Sequence, residues 1–466
     1  MNRHSRQRKM EDRDDRRSRG FGNTHSVNDR LSDRQFGEIT GELTIDDDDL
    51  YDKGMPVRST YSFNKQVHDQ NSHLDFDLYN RDKRSNIDID YNDPSDTGFT
   101  SFCDINTSTE ILSQKSKPLT GCLDGISKLN MFMYDNVKRF NTGIFNIDGI
   151  GLYMTFASLF YGSSGNSEVE LKEYFEFMDV DTTYETLIRF IGKNVNHMFP
   201  HISFRSYIMC DSRIPILKRF RDFSEMVPII KVNKQFVKSE RTKINNVIRE
   251  DTKCEGVMSH DTVKKIGFTV VNVMNITPVW DVVVDSLIER KFMGNPTTYL
   301  KFVTQKFGFY EDTEKILLEI PIKGKNLMFG IMSPKRQSHR IEDFDIDLRE
   351  LENCIFDMKS CVIDTVLIPK IVKRTKIRLN SMLQNTGLTT VFAETDLPDV
   401  HNSAHGPPIT DVIQYCDLKI GERCVRKSNT SGSQKEMRSL AVDKGFMYYI
   451  RYVKHNVFMA IGHVSS

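Results

Sequence analysis

Apolar periodicity is confined to the chain beyond about Ile126, so any packed core has to be built there. Before that point Arg, Asp, Ser and Asn dominate, and apolar residues occur singly, without helix or strand spacing. Such a stretch buries too little surface to offset its ordering entropy, which predicts a disordered, charged tail over residues 1–115 and a folded domain over 116–466. The tail begins basic and carries an acidic run at Asp46–Asp49. It reads equally as a docking tail or as a solvated extension.

Within the folded part, Leu129, Met131, Phe132, Met133 and Val137 predict an amphipathic helix, and Ile147–Tyr161 a buried one. The Val-rich run Phe268–Ile276 predicts a strand buried on both faces. Leu317–Ile322 and Leu327–Met332 flank a Lys323–Asn326 turn and predict a hairpin. Cys361–Ile368 predicts a further strand, and Phe446–Tyr452 with Val457–Ile461 a terminal pair. Helices come first and strands later, which gives α+β, with helices packed on large, mostly antiparallel sheets.

Several function classes are disfavoured. Lys and Arg number 64, as do Asp and Glu, so no net charge favours nucleic acid or an anionic membrane. Met1–Gly20 holds no apolar run, so no signal peptide is expected. No segment approaches the ~20 apolar residues of a membrane span. The location expected is intracellular, cytoplasmic or virion-associated. The eight cysteines form no CxxC pair and are expected to be reduced thiols. The sequons at Asn106, Asn275 and Asn429 matter only on a secretory route. His197 and His201 have metal-ligand spacing, but Pro200 between them breaks the helix that spacing needs. No phosphate loop, nucleophile elbow or catalytic constellation is visible, so neither a metal, a cofactor nor an enzyme activity is expected.

A set of segments then resembles one family. Val270–Trp280 (VVNVMNITPVW), with the chain's one Trp, resembles the serpin strand that ends in a buried Trp. Lys243–Gly256 resembles the helix before it, and Leu318–Gly324 (LEIPIKG) the family's LELPYxG hairpin. Ile368–Lys370, Leu379 and Leu383–Leu388 resemble the strand and helix that precede the reactive loop. Phe446–Arg451 and Gly462–Val464 resemble the last two strands, and Gly162–Asn166 the turn after the second helix. The resemblance runs from about Leu129 to Ser466. It implies helices on three mostly antiparallel sheets, with an exposed reactive-centre loop. Composition and the missing signal are reminiscent of serpins from large DNA viruses such as poxviruses.

The resemblance also implies a mechanism. A protease cleaves the loop, which inserts as a new middle strand of the main sheet and traps the enzyme; loop insertion is a recognised strain-release switch. Glu422 falls at the family's hinge glutamate. Cys424, Val425, Lys427 and Asn429 follow where inhibitors carry small residues. By strand alternation Val425, Lys427 and Asn429 would face the core on insertion, and an unpaired buried ammonium costs several kcal/mol. The loop is short, with 23 positions from Glu422 to Gly445. Counting from the hinge puts the cleaved bond at Arg438–Ser439, and counting from Gly445 nearer Gln434–Lys435. Either basic residue suits a trypsin-like protease. At the shutter, the polar cluster beneath the main sheet, the family's two Ser, Asn and His read Asp148, Gly151, Asn272 and Gln414. The expectation is a divergent, non-inhibitory serpin acting as a binding or structural module. The alternative is a working intracellular inhibitor of a serine or cysteine protease with a basic bait. The partner would be a protease, or a viral or host protein, met through loop or tail.

Overall fold

The computed structural model describes residues 42–44 and 117–465 apart from short interior stretches, the longest being 426–435. The expected tail 1–115, three residues excepted, lies outside the described residues.

The order of elements is β1 (Glu42–Thr44), α1 (Lys117–Lys138), β2 (Phe145–Ile147), α2 (Gly149–Tyr161), α3 (Gly165–Phe175), α4 (Val180–Met198), β3 (Ile202–Asp211), α5 (Lys218–Phe223), β4 (Ile229–Val232), α6 (Val237–Thr252), α7 (His260–Lys265) and β5 (Phe268–Ile276). Then follow β6 (Val284–Phe292), β7 (Asn295–Glu311), β8 (Lys315–Pro321), β9 (Leu327–Pro334), α8 (Leu348–Phe356), β10 (Lys359–Pro369), β11 (Ile371–Arg378), α9 (Asn380–Asn385), α10 (Thr390–Ala393), β12 (Asp411–Ile420), β13 (Glu436–Ala441), β14 (Phe446–Tyr452) and β15 (Val457–Val464).

One sheet runs β1-β11-β12-β5-β3-β4. The other runs β13-β10-β7-β8-β9-β14-β15-β2, with β6 also on β7. The first half of the long strand β7 pairs with β6 and its last residues with β8, and Thr304 between them has φ 51°. Two of the three expected sheets are therefore joined into one hydrogen-bonded path. The α+β class holds.

The first sheet is the centre of the molecule because both its faces are covered. Helix α2 begins right after strand β2, with Asp148 between them as its cap: the Asp148 carboxylate accepts from the Gly151 N–H at 2.8 Å, capping the first turn. Gly149 through Phe160 are buried, as the all-apolar run requires, and α2 packs on β3, β5 and β15. Helix α6 covers the opposite face. Its apolar residues Ile244 and Ile248, one turn apart, pack with Tyr207, Val271, Val273 and Ile413. Val270, Met274 and Ile276 join the core on the α2 side, so all of β5 is buried and its sequence shows no polar alternation. The hairpin β8–β9 and the pair β14–β15 form where the sequence predicts them.

Candidate functional site

Strands β12 and β5 are hydrogen-bonded in parallel from Asp411 opposite Thr269 to Leu418 opposite Ile276. No strand lies between them. A stretch bounded by two anchored ends leaves the top of this seam.

The upstream anchor is built on Trp280, which is fully buried with Phe302 and Phe329 edge-on to it. Its indole N–H donates to the Gly421 carbonyl at 2.7 Å. Its main-chain N–H donates to the Arg423 carbonyl, and its carbonyl accepts from the Val425 N–H. Cys424 is thereby bridged in parallel to Trp280. Lys370 sits 3.4 Å from Glu422. The Glu422 carboxyl is held below its ordinary value by its own main-chain N–H first and by Lys370 besides. Of the expected hinge residues, Glu422 is exposed and Cys424 and Val425 are half-buried. Lys427 and Asn429 lie outside the described residues, as does Lys435.

The downstream anchor is β13, which pairs in parallel with β10, Ser439 opposite Thr365. Arg438 donates to Glu311 at 2.5 Å and lies 4.7 Å over the Phe309 ring, while Lys335 holds the other oxygen of Glu311 at 2.8 Å. Lys335 first, and Arg438 after it, keep the Glu311 carboxyl low. The hinge-based count therefore places its bond, Arg438–Ser439, inside a sheet strand. That count assumes the family's usual loop length, and this loop is shorter. The count from Gly445 ends before β13 begins.

Beneath the seam, the four shutter positions come together. Asp148, Asn272 and Gln414 are at most 1% exposed. Gln414 Nε2 donates to the Asp148 main-chain carbonyl at 3.0 Å, across from β12 to α2. Thr155 donates to Asn272 Oδ1 at 3.3 Å. Ser206 of β3 donates to the Gly151 carbonyl at 2.9 Å. Asp148 and Gln414 thus form a pair, but through a main-chain oxygen rather than side chain to side chain.

The glycine has a specific cause. A Cβ on Gly151 would lie 2.4 Å from Asp148 Oδ2 and 3.0 Å from Ser206 Oγ. The Asp148 carboxyl fills the space that a side chain at 151 would occupy, so the two departures from the family's serines compensate each other. Gly151→Ser alone is expected to displace the capping carboxylate and cost about 1–3 kcal/mol in urea unfolding. Adding Asp148→Ser, a shorter cap, should recover most of that loss, and strictly additive effects would contradict the compensation.

Sequence reasoning missed Lys370, Thr155 and Ser206 as partners and Arg438 as an anchor. Asp148 carried a readable signal, an N-cap residue before an apolar helix. The others are joined to their partners only by strand pairing and helix packing. His201 accepts from the Val279 N–H at 3.3 Å, beyond the end of α4, and the described residues hold no cluster of three or more His, Cys, Asp or Glu suited to a metal. No described helix is long and apolar enough to cross a membrane.

Comparison with known proteins agrees on one family. The family model for serpin (serine protease inhibitor) matches residues 147–466. An uncharacterised serpin-like protein of Acanthamoeba polyphaga mimivirus is 20% identical over 320 residues, 60% of this chain and 78% of that one. It fits the suggestion of a large DNA virus. An uncharacterised serpin-like protein of Methanosarcina mazei is 23% identical over 180 residues, and the match spans 35% of this chain and 41% of that protein's length. Among solved structures, native protease nexin-1 with heparin has 15% identity and a TM-score of 0.68. Maspin has 18% identity and a TM-score of 0.67, and for each the match covers 75% of this chain and 100% of the other.

Proposed function

Because this chain belongs to the serpin family, we propose that it is a divergent member with impaired or absent protease trapping, acting through its surface as a binding or structural module. It turns nothing over in either role. The observation that carries this reading is Lys427. In an inserted loop, strand alternation from Val425 would turn it toward the α2 side of the seam. There the neighbouring β5 and β12 residues are Met274, Ile276, Cys416 and Leu418, all buried in the apolar core. None of these four residues is an acid, and burying an ammonium unpaired among them costs several kcal/mol. The nearest acid along β12, Asp417, is already held by Arg374 at 2.6 Å.

Nicking the chain within residues 426–435 with a trypsin-like protease tests this. The melting temperature of the nicked protein is expected to stay within a few degrees of the intact one. A rise of more than about 10 °C, roughly 7 kcal/mol for a folded domain of this size, would mean that the cleaved loop inserts and would overturn the reading.

A second reading is a working inhibitor of a serine or cysteine protease. It is favoured by the arrangement of the anchors: residues up to Val425 are held at Trp280, β13 is held on β10, and the seam between β5 and β12 is closed and unfilled. In that case Lys435, just before β13, is the better bait, since Arg438 is engaged by Glu311 and Phe309. A detergent-stable complex with a trypsin-like protease, lost in Lys435→Ala and kept in Arg438→Ala, would establish it.

A further inference from the structure

The three buried shutter side chains each leave one polar atom unpartnered: Asp148 Oδ2, Asn272 Nδ2 and Gln414 Oε1. They come from the cap of α2 and from both strands of the seam. A carboxylic acid, its protonated oxygen acting as a donor, can serve an acceptor such as Gln414 Oε1; an ionised carboxylate has no proton to offer. We propose that Asp148 makes the β5–β12 seam proton-sensitive: protonated, it helps hold α2 and the two strands together, and ionised, it becomes an uncompensated anion beneath the seam that favours opening.

The surroundings support this because, among the described residues, no cation pairs with Asp148. From α2 itself come Gly151 and Thr155, from β3 Ser206, from β5 Asn272, and from α1 Asn130, whose amide oxygen accepts from the Gly149 N–H. From β2, Asn146 is bound by the Tyr448 hydroxyl of β14. The titratable neighbours are Cys416 of β12 and, beyond it, Tyr448. Burial pushes both well above their ordinary values, so both are uncharged at neutral pH. The Gly151 N–H and the helix terminus favour the anion, but desolvation is the larger effect and raises Asp148 to about 7.

The sign follows from proton uptake. The closed seam holds the Asp148 proton and the opened one, with an ordinary carboxyl, releases it. The stabilisation is complete below the ordinary value of 3.8 and is lost as pH rises to about 7. This rests on the reading that the seam is where the sheet parts, but it concerns the intact chain, so the nicking result leaves it untouched.

The test is amide hydrogen exchange of Val271–Met274 and Ile413–Cys416 in the full chain between pH 5 and 8, corrected for intrinsic rates. The opening constant of the native protein is expected to rise about tenfold per pH unit up to about pH 7 and then level off. In Asp148→Asn, which keeps the cap and supplies a permanent N–H donor, it should be flat. Asp148→Ser, also flat, serves if the Asn variant does not fold. A native profile that is flat, or one that the variants reproduce, overturns the proposal.

Discussion

Trp280→Ala is expected to lower stability by about 3–5 kcal/mol, the usual cost of truncating a fully buried Trp. The local effect should exceed the global one. Trp280 lies just beyond β5, where the chain passes from the first sheet toward the second, and its ring lies edge-on to Phe302 and Phe329. Its indole N–H is also the side-chain bond that fixes Gly421 just beyond β12. Without the indole, the Gly421 carbonyl loses its donor and the Glu422–Val425 segment keeps only its main-chain bonds and the Lys370–Glu422 ion pair. Chemical denaturation followed by far-UV circular dichroism measures the first effect. Limited trypsinolysis at Arg423 measures the second, and a faster cut in Ala than in Trp280→Phe is expected to grade with the loss of packing. A variant that unfolds at the native denaturant midpoint would show that Trp280 is not a keystone of the sheet junction.

Arg451→Met is the second large effect, also about 3–5 kcal/mol. Arg451 of β14 and Glu319 of β8 form a bidentate pair at 2.8 and 2.6 Å, with Glu319 fully buried and Arg451 3% exposed. The Tyr449 hydroxyl donates to the same carboxylate at 2.9 Å, and Arg451 also donates to Asn456. Removing the guanidinium strands a carboxylate in the core with one hydroxyl donor. The magnitude comes from the orphaned charge rather than from the pair's net strength. A double replacement, Arg451→Met with Glu319→Leu, should therefore recover much of the loss in urea unfolding. If the single and double variants are equally unstable, the ion pair is not the source of the cost.

These two sites differ in how far they could be read in advance. Leu318–Gly324 and Phe446–Arg451 stood out as family-like segments, and both form the strands their patterns predict. That Glu319 and Arg451 meet was not visible, because β8 and β14 are separated by β9 and their contact depends on sheet order. The same holds for Trp280 and Gly421, which lie 141 positions apart. The loop shows the limit most clearly. Two counts from opposite ends placed the bait at Arg438 or near Lys435, and residue numbers alone had no means of choosing. Pairing of Glu436–Ala441 with β10 places Arg438 in a sheet strand, which counting could not anticipate because strand ends depend on the partner strand.

The shutter teaches a related point. Set against the family's residues one at a time, Asp148 and Gly151 looked like two losses. In space they are one exchange, since the carboxyl occupies the volume that a side chain on Gly151 would need. Sequence alone determined the class of fold, the buried helix α2, the fully buried strand β5, the terminal hairpin and the family, because these follow from local periodicity and from motifs in order. Only the tertiary structure decided the closed seam, the two loop anchors, the partners of Glu311 and Glu422, and, among the described residues, the uncharged surroundings of Asp148. Those are set by which elements pack together, and long-range packing brings together side chains whose separation along the chain carries no signal of their contact.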